Sequence, residues 1–378
     1  MMTTLSRLRD RLGGSSMMAT LSRLRDRLDV AGTVMRGWNS VPRWPRRLLA
    51  LAGVAFLYVL PVLTIPVLDT PGTDFAGVLF YPVGIYVLMA IGLNIVVGEA
   101  GLLDLGYVAF FAIGGYTMAK LGVAAGLPFW AILPIAVALS MTAGVLLGTP
   151  TLRLRGDYLA IVTLGFGEII RLTARNTPFL GGPRGITDIP HPPAIGPIEF
   201  GVADATPYYW LLLSFIILMV FLVRRLKRSR VGRAWTAIRE DEDAAELMGV
   251  PTFRFKLWAF AIGAGIGGLG GTIFASKVFA ITPDNFTLIL SILFLCAVVL
   301  GGAGNLAGVI LGAVVIGYLP ERFRGFQEWR VLVFGAALVA MMAFRPQGLL
   351  PNRRRSAELA HTRAQTDLVA AQSGGRDG

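Results

Sequence analysis

The chain has 378 residues, 54% of them hydrophobic and only 15% charged, with a mean hydropathy of +0.65. A soluble domain carries about 25% charged residues, so a soluble core of this size has no room for so many apolar side chains, and a bilayer is the solvent that suits them. The net charge of +12 does not indicate nucleic acid, because the basic residues flank apolar runs; the lone Cys296 excludes an internal disulfide, and two histidines, His191 and His361, leave no zinc cluster.

Residues 1–47 form a basic N-terminal segment. Residues 1–12 and 17–28 match at eleven of twelve positions, with GGSS between them. Native duplication is one reading; an upstream start or a cloning scar ahead of Met17 or Met18 is preferred, and the segment is set aside from the fold. It would suit a basic helix on the cytoplasmic leaflet. The first long apolar run begins near Leu48, too far in for a cleavable signal peptide.

A spanning helix needs roughly 20 largely apolar residues. Ten runs qualify: 48–67, 76–97, 102–120, 128–149, 157–173, 207–225, 256–275, 286–301, 304–320 and 329–345. Residues 102–120, with Asp104 near the start, and 157–173, with Glu168 and Arg171, are the weakest and are expected to be short, tilted or partly re-entrant. The fold class is therefore all-α, a polytopic membrane protein of about ten transmembrane helices. The permease domain spans 48–351, and residues 352–378 read as a polar, disordered cytoplasmic tail.

With the N-terminus inside and ten alternating spans, 27 of the 35 Lys and Arg residues fall on the cytoplasmic side. That asymmetry fits the positive-inside rule and predicts both termini in the cytoplasm of a multi-pass inner-membrane protein. Trp130, Trp210 and Trp329 fall at outer ends and Trp258 at an inner end, the depth aromatic rings prefer. Gly263, Gly267 and Gly271, and again Gly304, Gly308 and Gly312, recur every four residues. Tight helix packing is preferred over movable seams for both rows. Two inner turns also look alike, GEAG at 98–101 and GGAG at 301–304, a weak hint of an internal repeat.

The inner loop 229–260 carries the functional signal. A helix from Arg233 to Met248 would place Ala234, Ala237, Ile238, Ala245 and Met248 near one face and Glu240, Asp241 and Glu242 elsewhere, with Gly249 and Pro251 ending it. A bounded amphipathic helix between two spans has no membrane core to serve, and groove docking on a partner is its natural use. Asp243-Ala244-Ala245-x-x-x-Gly249 resembles the EAA signature of ABC-importer permeases, with Asp at the usual Glu position. Together with residues 92–121, 153–172, GGPRGI at 181–186, 229–250, 298–313 and 344–351, the chain from about 75 to 352 resembles the branched-chain amino-acid ABC permease family, in its Liv M-type subunit.

That resemblance implies a bundle like those of type II ABC importers. It implies pairing with a related H-type permease, two cytoplasmic ABC ATPase subunits and an extracytoplasmic substrate-binding protein, in membrane lipid and without nucleic acid. Gly232, Arg233, Ala237, Arg239, Glu240, Asp243, Ala244, Ala245 and Gly249 become the candidate ATPase-coupling helix. Gly181, Gly182, Arg184 and Gly185, in the Pro- and Gly-rich outer loop 174–206, become candidate docking residues for the binding protein.

Asn94 and Glu168 are candidate pathway residues, each with a plainer alternative: an interhelical hydrogen bond for Asn94 and a local i, i+3 pair with Arg171 for Glu168. No GxxxxGK[ST] loop and no Ser-His-Asp set occur, so no cofactor or catalytic site is expected in this chain, and ATP would be bound by the partner subunits. The expected function is an ATP-driven permease for branched-chain amino acids. Permeases for urea, short amides or other amino acids stay open, as does an ion-coupled secondary transporter, although the latter would want more buried Asp, Glu or His. A membrane-bound enzyme is disfavoured.

Overall fold

The computed structural model describes residues 43–63, 74–152, 157–194, 196–322, 332, 335–336, 339 and 348–350. Most of the expected span 329–345, residues 1–42 and the tail after 350 lie outside them. Helix α1 (Arg43–Val59) belongs to a separate unit that ends at Leu60.

From Phe75 the described chain is a bundle of helices, with an isolated strand bridge between Ile186 and Ile281. The long elements are α2 (Phe75–Glu99), α3 (Val108–Ala125), α4 (Phe129–Thr151), α5 (Asp157–Asn176), α6 (Thr206–Lys227), α9 (Thr252–Val278), α10 (Leu288–Gly301) and α11 (Leu306–Arg322). Between α6 and α9 lie the shorter α7 (Arg230–Glu240) and α8 (Glu242–Leu247).

Six helices among the described residues are long and apolar enough to cross a membrane: α2, α3, α4, α6, α9, and α10 with the turn that leads into it. Of the other four runs read from the sequence, 329–345 lies mostly outside the described residues, and three correspond to α1, α5 and α11. α1 and α11 have 17 residues each. α5 has the length, but Glu168, Arg171 and Arg175 interrupt its apolar run.

α9 is the mast of the bundle, buried along most of its length from Ala259 to Ser276. Its glycines are where neighbours press closest. A methyl on Gly267 would meet Phe110, one on Gly271 would strike the Phe111 carbonyl, and one on Gly268 would strike Ser140 of α4. Removing the side chain lets backbones approach, and in lipid that contact drives association. The row 263–267–271 is therefore a packing row against α2 and α3. In the second row Gly308 and Gly312 behave the same way, against the carbonyls of Gly301 and Ala297. Gly304 does not: it sits in the α10–α11 turn at φ +86°.

The expected span 102–120 starts late. Residues 100–107 are non-helical yet largely buried, with Gly101 and Leu103 exposed, and α3 begins only at Val108. Buried backbone groups need partners, and neighbouring helices supply them. Leu105 N–H donates to Thr163 Oγ1 of α5 (3.0 Å), and Ser291 Oγ of α10 donates to the Leu105 carbonyl (2.7 Å). Gly106 N–H donates to Asp104 Oδ1 (2.9 Å), and the Tyr107 hydroxyl donates to the Gly263 carbonyl (2.7 Å). Broken helices are tolerated at membrane depth when protein buries the break.

Candidate functional site

The inner loop folds as two helices, not one from Arg233 to Met248. Ser229 caps α7 by accepting from Val231 N–H (3.2 Å). At Asp241 the backbone turns extended (φ −155°, ψ 112°), and its carboxylate accepts from Ala244 N–H (2.9 Å) to start α8. An Asp that can cap a following helix competes with helix continuation at its own position, which is why the chain breaks there. Gly249, at φ +81° with open space around it, and Pro251 then end the pair as expected.

The faces differ from expectation at the tip. Ala234, Ile238 and Ala245 are buried as expected, but Met248 is 85% exposed and Leu247 89%. Of the candidate coupling residues, Gly232 and Ala245 are buried, with Ala237 and Arg239 half-buried, whereas Arg233, Glu240, Asp243, Ala244 and Gly249 are exposed. Gly232 has no room for a side chain beside the Lys227 backbone.

Anchors that sequence reasoning did not single out, together with the candidate Arg239, hold the pair. Trp235 is 1% exposed, and its indole N–H donates to the Phe255 carbonyl at the start of α9 (2.7 Å). Lys256 of α9, buried, pairs with Glu242 of α8. Arg239 donates to the Gly98 carbonyl. Lys227, the last residue of α6, donates to Glu99 Oε1 (2.6 Å) and to the Gly304 carbonyl (2.7 Å). Gly304 N–H in turn donates to Asn94 Oδ1 (2.8 Å). The two turns that look alike in sequence, 98–101 and 301–304, thus meet at one polar hub. That likeness, with Arg239 and Asn94 as candidate residues, was the signal available beforehand.

Asn94 is fully buried and accepts from Gly304 N–H in the α10–α11 turn, a bond from helix to turn where the plainer reading had one between helices. Glu168 pairs locally: Arg171 Nε donates to its Oε2 (3.0 Å), and Arg171 lies 3.5 Å from Asp284 in the turn before α10. The structure places Asn94 in the inner hub and Glu168 in this other cluster.

The outer-loop candidates lie in tight turns. Gly181, Gly182 and Gly185 all have positive φ, and a side chain on Gly185 would strike the Ile281 carbonyl. Arg184 is exposed beside them. Ile186 and Ile281 exchange backbone bonds (2.9 and 3.0 Å), and Ile189 N–H donates to the Phe279 carbonyl (3.1 Å). His191 stacks on Phe279, and its Nδ1 lies 2.9 Å from the Ser276 carbonyl. The same Nδ1 lies 2.6 Å from the Tyr208 hydroxyl. Partial burial holds the His191 ring below its ordinary pKa of 6.5; the Ser276 bond opposes this shift and the nearby Lys277 ammonium adds to it.

Compared with known proteins, residues 76–342 match the family model described as branched-chain amino acid transport system / permease component. The chain belongs to this family. It is 44% identical over 302 residues to the high-affinity branched-chain amino acid transport system permease protein LivM of Salmonella typhimurium, covering 74% of this chain and 71% of the relative, and equally to LivM of Escherichia coli. A shorter stretch of 140 residues is 28% identical to the LivH permease of E. coli, 36% of this chain and 44% of that one. No solved structure matches. As a branched-chain permease component, the chain is a multi-pass membrane protein and a transport subunit, not an enzyme.

Proposed function

We propose that this permease forms half of the translocation pathway of an ATP-driven importer for branched-chain amino acids. Its other half would be an H-type permease, a pairing supported by the partial likeness to LivH. The observation that carries the coupling half of this reading is the tip of the inner helix pair. Leu247 and Met248 are almost fully exposed at the end of a unit whose base is fixed to α9 by Trp235 and Lys256. Exposed large apolar side chains on an anchored helix end suit insertion into a partner's groove. Two ATPase subunits would dock there and bind the ATP, so no cofactor is needed in this chain. Both termini would be cytoplasmic, as the basic residues favour.

The outer turns around Gly181, Gly182, Arg184 and Gly185 would meet the substrate-binding protein. Of the two candidate pathway residues, Glu168 is the more open, with 38% of its side chain exposed, while Asn94 contributes inside the packed hub. The test is co-purification of the ATPase subunits with Leu247→Asp and Met248→Asp variants. Loss of the ATPases with membrane insertion intact is expected. Full retention with both variants would remove the docking assignment.

A further inference from the structure

We propose that Lys227, Glu99 and Arg239 form a latch that carries the movement of α7–α8 into the buried break between α2 and α3. This rests on the reading of α7–α8 as the coupling element. The Lys227 ammonium ties three span ends together: its own α6, the end of α2 through Glu99, and the α10–α11 turn through the Gly304 carbonyl. Arg239, at the far end of α7, holds the Gly98 carbonyl of the same turn. Its side-chain stem also packs where a methyl on Gly101 would sit, 3.0 Å away. The turn 98–101 is therefore gripped by the end of α6 through Lys227 and by the end of α7 through Arg239.

Little slack exists beyond the grip. The chain runs directly from Glu99 into the break, where Leu105 is fixed by Thr163 and Ser291, and Tyr107 by Gly263. Asn94 and Gly98 are too closely fitted to Gly304 to slide, since a methyl on Gly98 would strike both. Packed cores of this kind switch between discrete arrangements and do not bend continuously. A displacement of α7 by a docked partner must either break these bonds or move the break, along with α5 and α10 bonded to it. Lys227, Glu99 and Arg239 are positioning residues in this scheme.

The experiment is leucine transported per ATP hydrolysed, measured on the assembled complex in proteoliposomes for Lys227→Met, Glu99→Gln and the conservative Lys227→Arg. The latch predicts that Lys227→Met and Glu99→Gln keep their ATPase subunits and hydrolyse ATP while the ratio falls about tenfold, the usual scale of a coupling free energy. Lys227→Arg, which keeps the charge and the donors, recovers most of it. An unchanged ratio in Lys227→Met overturns the latch, as does a fall that Lys227→Arg does not relieve. Should Lys227→Met fail to insert, Glu99→Gln decides by the same ratio. Retained ATPases in Leu247→Asp and Met248→Asp would instead overturn the coupling reading beneath it, so the two failures are separable.

Discussion

The two ends of the bundle are fastened in different ways. At the inner hub, long flexible cations reach across to carbonyls and a carboxylate: Lys227 to Glu99 and Gly304, Arg239 to Gly98. At the outer end a lysine also reaches carbonyls, Lys277 to those of Gly201, Val202 and Asp204, but backbone meets backbone as well, in the Ile186–Ile281 exchange and the Ile189–Phe279 bond, with a ring stack beside them. The inner-hub lysine joins three span ends at once, whereas each backbone pair at the outer end fixes two segments in register. Under the proposed function, the backbone pairing at the outer end suits an end that holds a fixed surface, and the side-chain ties of the inner hub suit an end that moves. A loop that presents docking turns gains from rigidity; a hub that relays motion needs reach.

The sharpest way to break the comparison is Gly185→Val. It puts a branched side chain where the backbone has φ +75° and where the Ile281 carbonyl leaves no room. The outer fastening should lose about 3 kcal/mol, read as a fall in thermal unfolding midpoint in detergent. Next comes Thr163→Val, which orphans the Leu105 N–H inside the break and should cost about 2 kcal/mol in the same assay. Asp241→Ala removes the cap of α8 and should cost about 1 kcal/mol, seen as faster hydrogen exchange confined to residues 242–248.

The smallest effect is a pH dependence. His191 has a folded pKa below 6.5, so the unfolded chain takes up the proton first. The stability contribution is whole above about 6.5 and is lost as pH falls through the folded value. The outer end should therefore melt slightly earlier in mild acid, and His191→Phe should flatten that slope while leaving the inner hub unchanged. Unfolding midpoints across pH 5 to about 7.5 check this.

How much of this was legible in sequence follows from the range of each interaction. The apolar runs of α4, α6 and α9 match their helices closely, because 20 or so apolar residues bounded by charge or proline leave few alternatives. The inner loop and its stop at Gly249 were legible for the same local reason. The break at 100–107 was not, because it is stabilised by Thr163 and Ser291, donated from helices distant in sequence. Lys227 and Glu99 are 128 residues apart, and each alone reads as an ordinary charge at a span end. Asp241 looked like one more charge on a solvated face, since nothing nearby in sequence shows that it caps the next turn. Met248 was assigned to the buried face because the helix was taken as continuous; the break at Asp241 turns it outward.

Leucine uptake into vesicles holding the full assembly tests the central claim most directly, comparing the parent protein with Gly249→Asp at matched expression. Gly249 stands exposed at φ +81° beside the apolar tip, so the variant strains the turn and places a charge at the docking end. The account predicts that ATP-dependent uptake is abolished, with the membrane subunits still inserted and the ATPases no longer co-purifying. Unchanged ATP-dependent uptake would contradict the assignment of this helix pair as the coupling element, and uptake driven by an ion gradient without any ATPase would contradict the ATP-driven mechanism itself.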